Sequence, residues 1–248
     1  MTPVVEPLAA TDRYTLCMAS EPEQVKAAQR LRFEVFNLEL GEGLATSAAT
    51  GLDEDEFDEV CDHLLVTEAI SGQVVGTYRM QTGNSALVNH GYYSAREFDF
   101  GPFEFARGEI VELGRACVAV AHRNQSVLGL LWKGIARYAQ SHRARYLIGC
   151  SSLTSQNPAE GLAAYAQLAG RHLAPTAWRT IPLEAWQCRA GVSATEVVPV
   201  PRLMSAYLAA GAKICGEPAL DREFGTIDFL TWMDLQSMPA RVLRKFMG

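Results

Sequence analysis

The chain has 248 residues, 48% of them apolar and 20% charged, with a formal net charge of −6. It is long enough for one large or two small globular domains with a substantial core. A membrane-spanning helix is excluded, because the apolar windows around Val118 and Leu128 are broken by His122, Arg123 and Lys133, short of the ~20 residues a span needs. Duplex nucleic acid is a poor partner for an acidic chain without a recognition motif. Residues 1–10 have neither the basic start nor the apolar run of a signal peptide. Six cysteines stand singly with no C-x-x-C, which suits reduced thiols in a cytoplasm and no zinc framework.

In chain order, residues 1–20 are expected to be poorly ordered. Residues 21–41 predict a helix: Val25, Ala28, Leu31, Arg32, Val35 and Leu38 recur at helical spacing, Pro22 sits in the first turn and Gly41 stops it. "HLLVTEA" and "QVVGTYRMQT" predict two strands joined at Ser71-Gly72. The stretch 83–107 is mixed and rich in aromatics. "IVELGRACVAV" predicts a strand, 126–141 an amphipathic helix, "ARYLIGCSSL" a buried strand, and Pro158 opens a helix through Gly170. Residues 171–201, with four prolines, predict an irregular insertion. "RLMSAYLAAGAKICG" predicts a helix into a short strand. "FGTIDFLTWMDL" predicts a last strand with one wet face. Without repeats or a linker, residues 1–248 are expected to form a single α/β domain with a mixed sheet.

Charge is unevenly placed. Residues 33–78 hold no Lys or Arg and many acids, whereas residues 113–159 hold Arg115, Arg123, Lys133, Arg137, Arg143 and Arg145 and no acid. The basic segment could dock something anionic, or the two segments could neutralise each other.

Three motifs can carry chemistry. Glu112 and Arg115 lie three apart on one strand and point to opposite faces, unless a bulge at Gly114 brings them to one side. Together they would be a proton-accepting carboxylate with its cation, or a structural ion pair. The turn "HRNQS" could offer free helix amides and Arg123 to a phosphate. It could equally be an ordinary helix start capped by Asn124 or Ser126. The run "LDEDEFDEVCDHLLV" hints at a calcium loop, but Phe57 and Asp58 stand where that loop needs an oxygen ligand and a Gly. Cys61 and His63 lack two further zinc ligands. No metal site is expected.

In order, "LRFEVF", "DEDEFDEVCDHLLV", "VGTYRM", "GYYSAREFD", "ELGRACV", "HRNQSVLGLLWKGIARY", "YLIGCSS" and "EFGTIDF" resemble the ornithine–acyl carrier protein N-acyltransferases. These make lyso-ornithine lipid within the GNAT superfamily, beside N-acyl amino acid synthases and acyl-homoserine-lactone synthases. The resemblance implies a GNAT fold, a central mixed and largely antiparallel sheet flanked by helices, whose fourth strand splays to hold the thioester. It implies Glu112 and Arg115 as the catalytic E-x-x-R pair, and Arg32, Asp55, Asp58 and Arg79 as the charged, substrate-binding cluster around it. Arg123, Asn124, Gln125, Ser126 and Gly129 would bind phosphopantetheine. Residues 124–128 lack the glycine of the usual loop, which argues for acyl carrier protein over acetyl-CoA as donor. Lys133, Arg137, Arg143 and Arg145 would dock that acidic carrier.

The expectation is therefore a bacterial, cytoplasmic enzyme with no resident cofactor. It moves a long-chain, 3-hydroxylated acyl group from acyl carrier protein to the α-amine of ornithine. Another amine (glycine, tyrosine, a homoserine derivative) or a silent acyl-carrier-binding module are the alternatives. Asp221 and Asp228 are acidic enough to be tested as side-chain selectors. The basic, amphipathic residues 237–248 suggest a peripheral contact with the inner membrane, against an ordinary frayed terminus.

Overall fold

The computed structural model describes residues 7–189 and 197–239. In chain order they form β1 (Ala9–Ala10), β2 (Tyr14–Met18), α1 (Pro22–Phe33), α2 (Ser47–Thr50), β3 (Asp62–Glu68), β4 (Val74–Thr82), α3 (Gly83–Val88) and β5 (Ile110–Val118). There follow α4 (Gln125–Ser141), β6 (Tyr146–Leu153), α5 (Pro158–His172), α6 (Arg202–Ala209), β7 (Lys213–Ile214), β8 (Ala219–Asp221) and β9 (Thr226–Asp234). Among the described residues two compact units emerge, the first from 7–81 and 113–143, the second from 82–112, 144–189 and 197–239. The boundary falls inside β5, between Glu112 and Leu113.

In the first unit β1, β2, β3 and β4 pair antiparallel in sequence order. The expectation of disorder over residues 1–20 is therefore corrected for Tyr14–Met18. Leu16 is fully buried opposite Val66, and apolar burial offsets the entropy of fixing the segment. The helix expected over 21–41 changes character part-way. It is α-helical to Phe33, continues as a π turn over Glu34–Leu40, and ends at Gly41 with φ +68, a conformation glycine adopts without penalty. α4 packs on β2 and β3. Its Gly134 lets Leu64 approach, since a Cβ there would lie 2.5 Å from Leu64 Cδ2.

In the second unit β5 pairs parallel with β6 over Ile110–Glu112. β9 runs antiparallel to β6 and takes β7 and β8 on its other edge. The expected wet face of β9 is a correction: all nine residues are buried. Ile227 and Phe229 pack with α5 and α6 through Ala164, Leu168, Met204 and Leu208. Leu230 and Trp232 pack on the opposite face with Phe98, Phe103 and Trp178. Two of its polar residues are paired inside: Thr231 Oγ1 donates to Gly149 O at 2.7 Å, and Asp234 takes two bonds from Arg145. Such alternation reads as half-wet only when the polar positions lack internal partners.

Most of the aromatic residues around this layer pack as core, with Tyr93 and Trp186 half-buried. Tyr92, Phe98, Phe103 and Trp178 are each at most 7% exposed. Residues 171–189 hold two short 3₁₀ turns, Thr176–Trp178 and Glu184–Trp186. Of the basic stretch 237–248, residues 240–248 lie outside the described residues.

Two glycine substitutions should act in opposite directions. Gly83→Ala places a Cβ 2.1 Å from Arg107 O and 2.4 Å from Tyr92 Oη, so urea unfolding should show a loss of about 1–3 kcal/mol. Gly170→Ala, in α5 with nothing within 4 Å, should gain about 0.5–1 kcal/mol.

Candidate active site

In the first unit six charged side chains close into a ring of alternating sign. Arg32 on α1 donates from Nη2 to Asp58 Oδ2 at 2.6 Å, and Arg79 on β4 donates from Nη1 to Asp58 Oδ1 at 2.9 Å. The same Arg79 nitrogen reaches Asp55 Oδ1, and Asp55 Oδ2 accepts from Arg115 Nη2 at 3.0 Å. Arg115 Nε donates to Asp53 Oδ1 at 3.1 Å. Asp53 Oδ1 lies 2.8 Å from Arg32 Nε, which completes the circuit. Every member is buried or nearly so, Arg32 completely. Three guanidinium groups against three carboxylates leave no net charge, the condition on which such groups tolerate burial.

Local structure sets the ring. Asp55 caps the 3₁₀ turn Glu56–Glu59 by accepting from Phe57 N, and Asp58 accepts from Asp55 N in return. That capping box fixes both carboxylates, while Phe57 is buried beneath the Arg79 guanidinium. Gln29 Nε2 donates to Asp58 Oδ2 at 3.0 Å, and His63 Nε2 donates to Asp58 O at 3.1 Å. Burial lowers the His63 pKa, with the bond to Asp58 O opposing it; the imidazole is neutral, and its 3.9 Å approach to Asp58 Oδ1 is no ion pair. Burial alone would raise the Asp58 and Asp55 carboxyls. Arg32 and Arg79 outweigh it at Asp58, Arg79 and Arg115 at Asp55, and both are held below the usual carboxylate range. Arg115 sits at φ +50, so the irregularity expected at Gly114 falls on its neighbour. A non-glycine residue there carries roughly 1–2 kcal/mol of strain, and its two bonds into the ring hold it.

Arg32, Asp55, Asp58, Arg79 and Arg115 were all singled out from the sequence, and the structure brings them together. Asp53 and Gln29 were missed as members. The signal for Asp53 was present in its spacing with Asp55 and Asp58, which prompted the rejected calcium reading. Those carboxylates meet arginines.

Glu112 lies in the second unit, 4% exposed. Its Oε2 accepts from Tyr93 N at 2.8 Å and its Oε1 from Ser94 N at 2.9 Å. These are amides at the start of the 3₁₀ turn Tyr93–Arg96, where a carboxylate is favoured.

At the start of α4, Asn124 is the N-cap, and its Oδ1 accepts from Ser126 N and Val127 N. Asn124 Nδ2 donates to Tyr14 Oη, which also meets His122 Nδ1. Arg123 makes a two-pronged pair with Glu39, 2.6 Å on each arm. Gln125, Ser126 and Gly129 lie on the first turns of α4, Gly129 with open space around it. Of the expected docking cations, Arg137 and Arg143 are exposed and Lys133 half-buried on or just after α4. Arg145, in the second unit, pairs with Asp234. Arg115 and Arg123 thus show the acidic and basic segments neutralising each other in part. Asp221 is engaged by its own turn, Oδ1 accepting from Glu223 N and Phe224 N.

A family model described as an acetyltransferase (GNAT) domain matches residues 31–133. An L-ornithine N(alpha)-acyltransferase of Agrobacterium fabrum is 32% identical, over 93% of this chain and 84% of that protein. The protein of that name from Rhodobacter capsulatus is 31% identical, over 94% of each. The chain belongs to this acyltransferase family. The AHL synthase LasI superposes with a TM-score of 0.54 at 12% identity, covering 95% of this chain and 96% of that one; at that identity it shows the fold, which is the GNAT fold expected. Among the described residues of the acyltransferase no helix is long and apolar enough to cross a membrane.

Two consequences are measurable. Asp58→Asn breaks two ion pairs of the buried ring and should destabilise the enzyme by about 3–5 kcal/mol in urea at pH 7. Because the Asp55 and Asp58 carboxyls titrate lower when folded, their stabilisation is complete above the unfolded pKa near 4 and is lost as pH falls below it. Wild-type stability should therefore drop steeply between about pH 4.5 and 3, and that slope should flatten in Asp58→Asn.

Proposed function

We propose that this acyltransferase moves a long-chain, 3-hydroxylated acyl group from acyl carrier protein to the α-amine of ornithine, giving lyso-ornithine lipid. The observation that carries the mechanism is the buried Glu112 carboxylate, held in place by the backbone amides of Tyr93 and Ser94. A free α-ammonium must lose a proton before it can attack. Glu112, directly or through one water, accepts that proton. The amine nitrogen then adds to the thioester carbonyl, the C–N bond forms and the C–S bond breaks. The first proton leaves Glu112 for solvent, and as the adduct collapses its nitrogen gives up a second proton, through Glu112, to the departing phosphopantetheine thiolate. General-base help of this kind is typically worth about 10²–10⁴-fold.

The acceptor reading is supported by the names of the relatives. The donor reading is supported by Arg137 and Arg143, exposed on a segment without acids, which suits an acidic carrier. The phosphopantetheine arm would lie at the first turn of α4, where Arg123, Asn124, Gln125, Ser126 and Gly129 sit. It would compete with Glu39 for Arg123 and with Asn124 Oδ1 for the helix amides. The charge ring, with its arginines engaged by aspartates, then acts by holding β5 and its neighbours in place. The arm belongs to the donor, so the reaction as proposed uses no resident cofactor. A carrier-protein donor places it in the cytoplasm, and a lipid product at the inner-membrane surface.

Single-turnover rates with acyl carrier protein and acyl-CoA donors, beside thermal melts, test this. Glu112→Ala should lose at least about 10²-fold in rate while its melting shift corresponds to only the two lost hydrogen bonds, about 1–3 kcal/mol. Arg137→Glu with Arg143→Glu should raise KM for the carrier protein severalfold and leave that for acyl-CoA unchanged. Undiminished turnover in Glu112→Ala would remove the base from the mechanism.

A further inference from the structure

The start of α4 is closed by a cap, and the cap is itself tethered. Asn124 is the N-cap, and its Oδ1 accepts from Ser126 N at 3.0 Å and from Val127 N at 3.1 Å. Its carbonyl accepts from Leu128 N at 3.2 Å. Two of the first three helix amides, which otherwise make an anion site, are thereby taken up by one side chain. The tether is Tyr14 on β2, 110 residues earlier in the chain. Tyr14 is 2% exposed. Its Oη accepts from Asn124 Nδ2 and meets His122 Nδ1, each at 3.1 Å.

A lone N-cap yields easily, because an asparagine side chain turns about χ1 and gives its place to an arriving anion. Here that turn breaks the bonds to both amides and the bond to Tyr14, and it strips a partner from a buried hydroxyl. The His122 ring meets the Tyr14 ring edge-on, centroids 5.8 Å apart, and helps to fix the direction of that hydroxyl. Arg123, one residue before the cap, is built the other way. Its fork lies on Glu39, and the two side chains are 43% and 29% exposed. An ion pair that open to water contributes little, and a phosphate presents the same fork with equivalent oxygens. An arriving phosphate therefore takes Arg123 from Glu39 but not the amides from Asn124.

Thioester donors differ in what they bring to this place. A carrier-protein arm carries a single phosphodiester, whereas a nucleotide thioester such as acyl-coenzyme A carries a diphosphate and needs donors for both groups. One exchangeable arginine suits the first, and capped amides leave the second short of partners. We propose that Asn124, held by Tyr14, selects the donor: it keeps the helix amides from the diphosphate of a nucleotide thioester and leaves Arg123 to the single phosphate of a carrier arm. Tyr14 is a positioning residue that acts through Asn124. The inference rests on the carrier-arm reading above and names the residues that enforce it.

Two thiols isolate the difference. 4′-Phosphopantetheine and dephospho-coenzyme A share the arm and differ by the second phosphate with its adenosine. Calorimetry measures the binding of both to wild type, Asn124→Gly, Asn124→Ser, Tyr14→Phe and the double variant Tyr14→Phe with Asn124→Gly, and it needs no turnover. The acyl thioesters of both are then compared in transfer beside acyl carrier protein. Wild type should favour the single phosphate by at least about tenfold, the scale of the amide bonds withheld from the second. Asn124→Gly leaves a tolerated cap residue and releases both amides, and should bring the two thiols within about twofold of each other. Tyr14→Phe and Asn124→Ser keep a cap oxygen and cut the tether, so each should fall between. The double variant should go no further than Asn124→Gly alone, since both act on one path. The change should appear as tighter binding and a lower KM for the diphosphate donor, a gain that misfolding does not produce. A preference between the thiols that follows this series, with carrier protein no better a donor than acyl-phosphopantetheine, would support the selector and sink the carrier-protein reading. Equal or undetectable binding of the two thiols by wild type, or variants that keep the wild-type preference, would overturn the selector.

Discussion

Everything in the first unit turns on a charge-balanced ring that must be complete to be tolerated. Arg32, Asp58, Arg79, Asp55, Arg115 and Asp53 come from α1, a capped loop, β4 and β5. Removing any one leaves an opposite charge buried with fewer partners, so the ring behaves as one object rather than as separate bridges. It ties the capped loop after α2 to the strands and holds Arg115 in a left-handed conformation that an isolated strand would relax. Three residues before that kink, the same strand presents Glu112.

The second unit treats its carboxylates differently. Glu112 is oriented by the two backbone amides of Tyr93 and Ser94. Asp221 is closed off by its own turn and Asp234 by Arg145. Glu97 and Asp228 come together around Cys150. One unit balances its buried charge in a ring of three arginines and three aspartates, while the other orients each buried acid by its own local partners.

Much of this was legible from the chain itself. Local signals do not depend on partners: the Pro22 and Gly41 boundaries, the Ser71-Gly72 turn, Asn124 as a helix cap and the apolar run of β6 all follow from backbone chemistry. The order of motifs pointed to the family before any coordinates, and five of the six ring members were among the residues so marked. What escaped depends on pairing. The alternation of β9 looked half-wet because the partners of Thr231 and Asp234, Gly149 and Arg145, come into place only when β6 and the residue before it are laid beside the strand. The early strand β2 was missed because its burial comes from Val66 and its neighbours, fifty residues on. Asp53 could not be told from a solvated acid until Arg32 and Arg115 were placed, and the Glu97–Asp228 approach requires the register of three strands.

The central claim is transfer of an acyl group to one particular nitrogen, and an isotope label reads it directly. Purified enzyme would be given acyl carrier protein donor and ornithine carrying ¹⁵N at the α position only, and the product analysed by fragmentation mass spectrometry. The account predicts a product whose amide nitrogen carries the label while the side-chain amine remains free and unlabelled. An unlabelled amide, formed at the side-chain nitrogen, or free fatty acid with no amide at all, would contradict it.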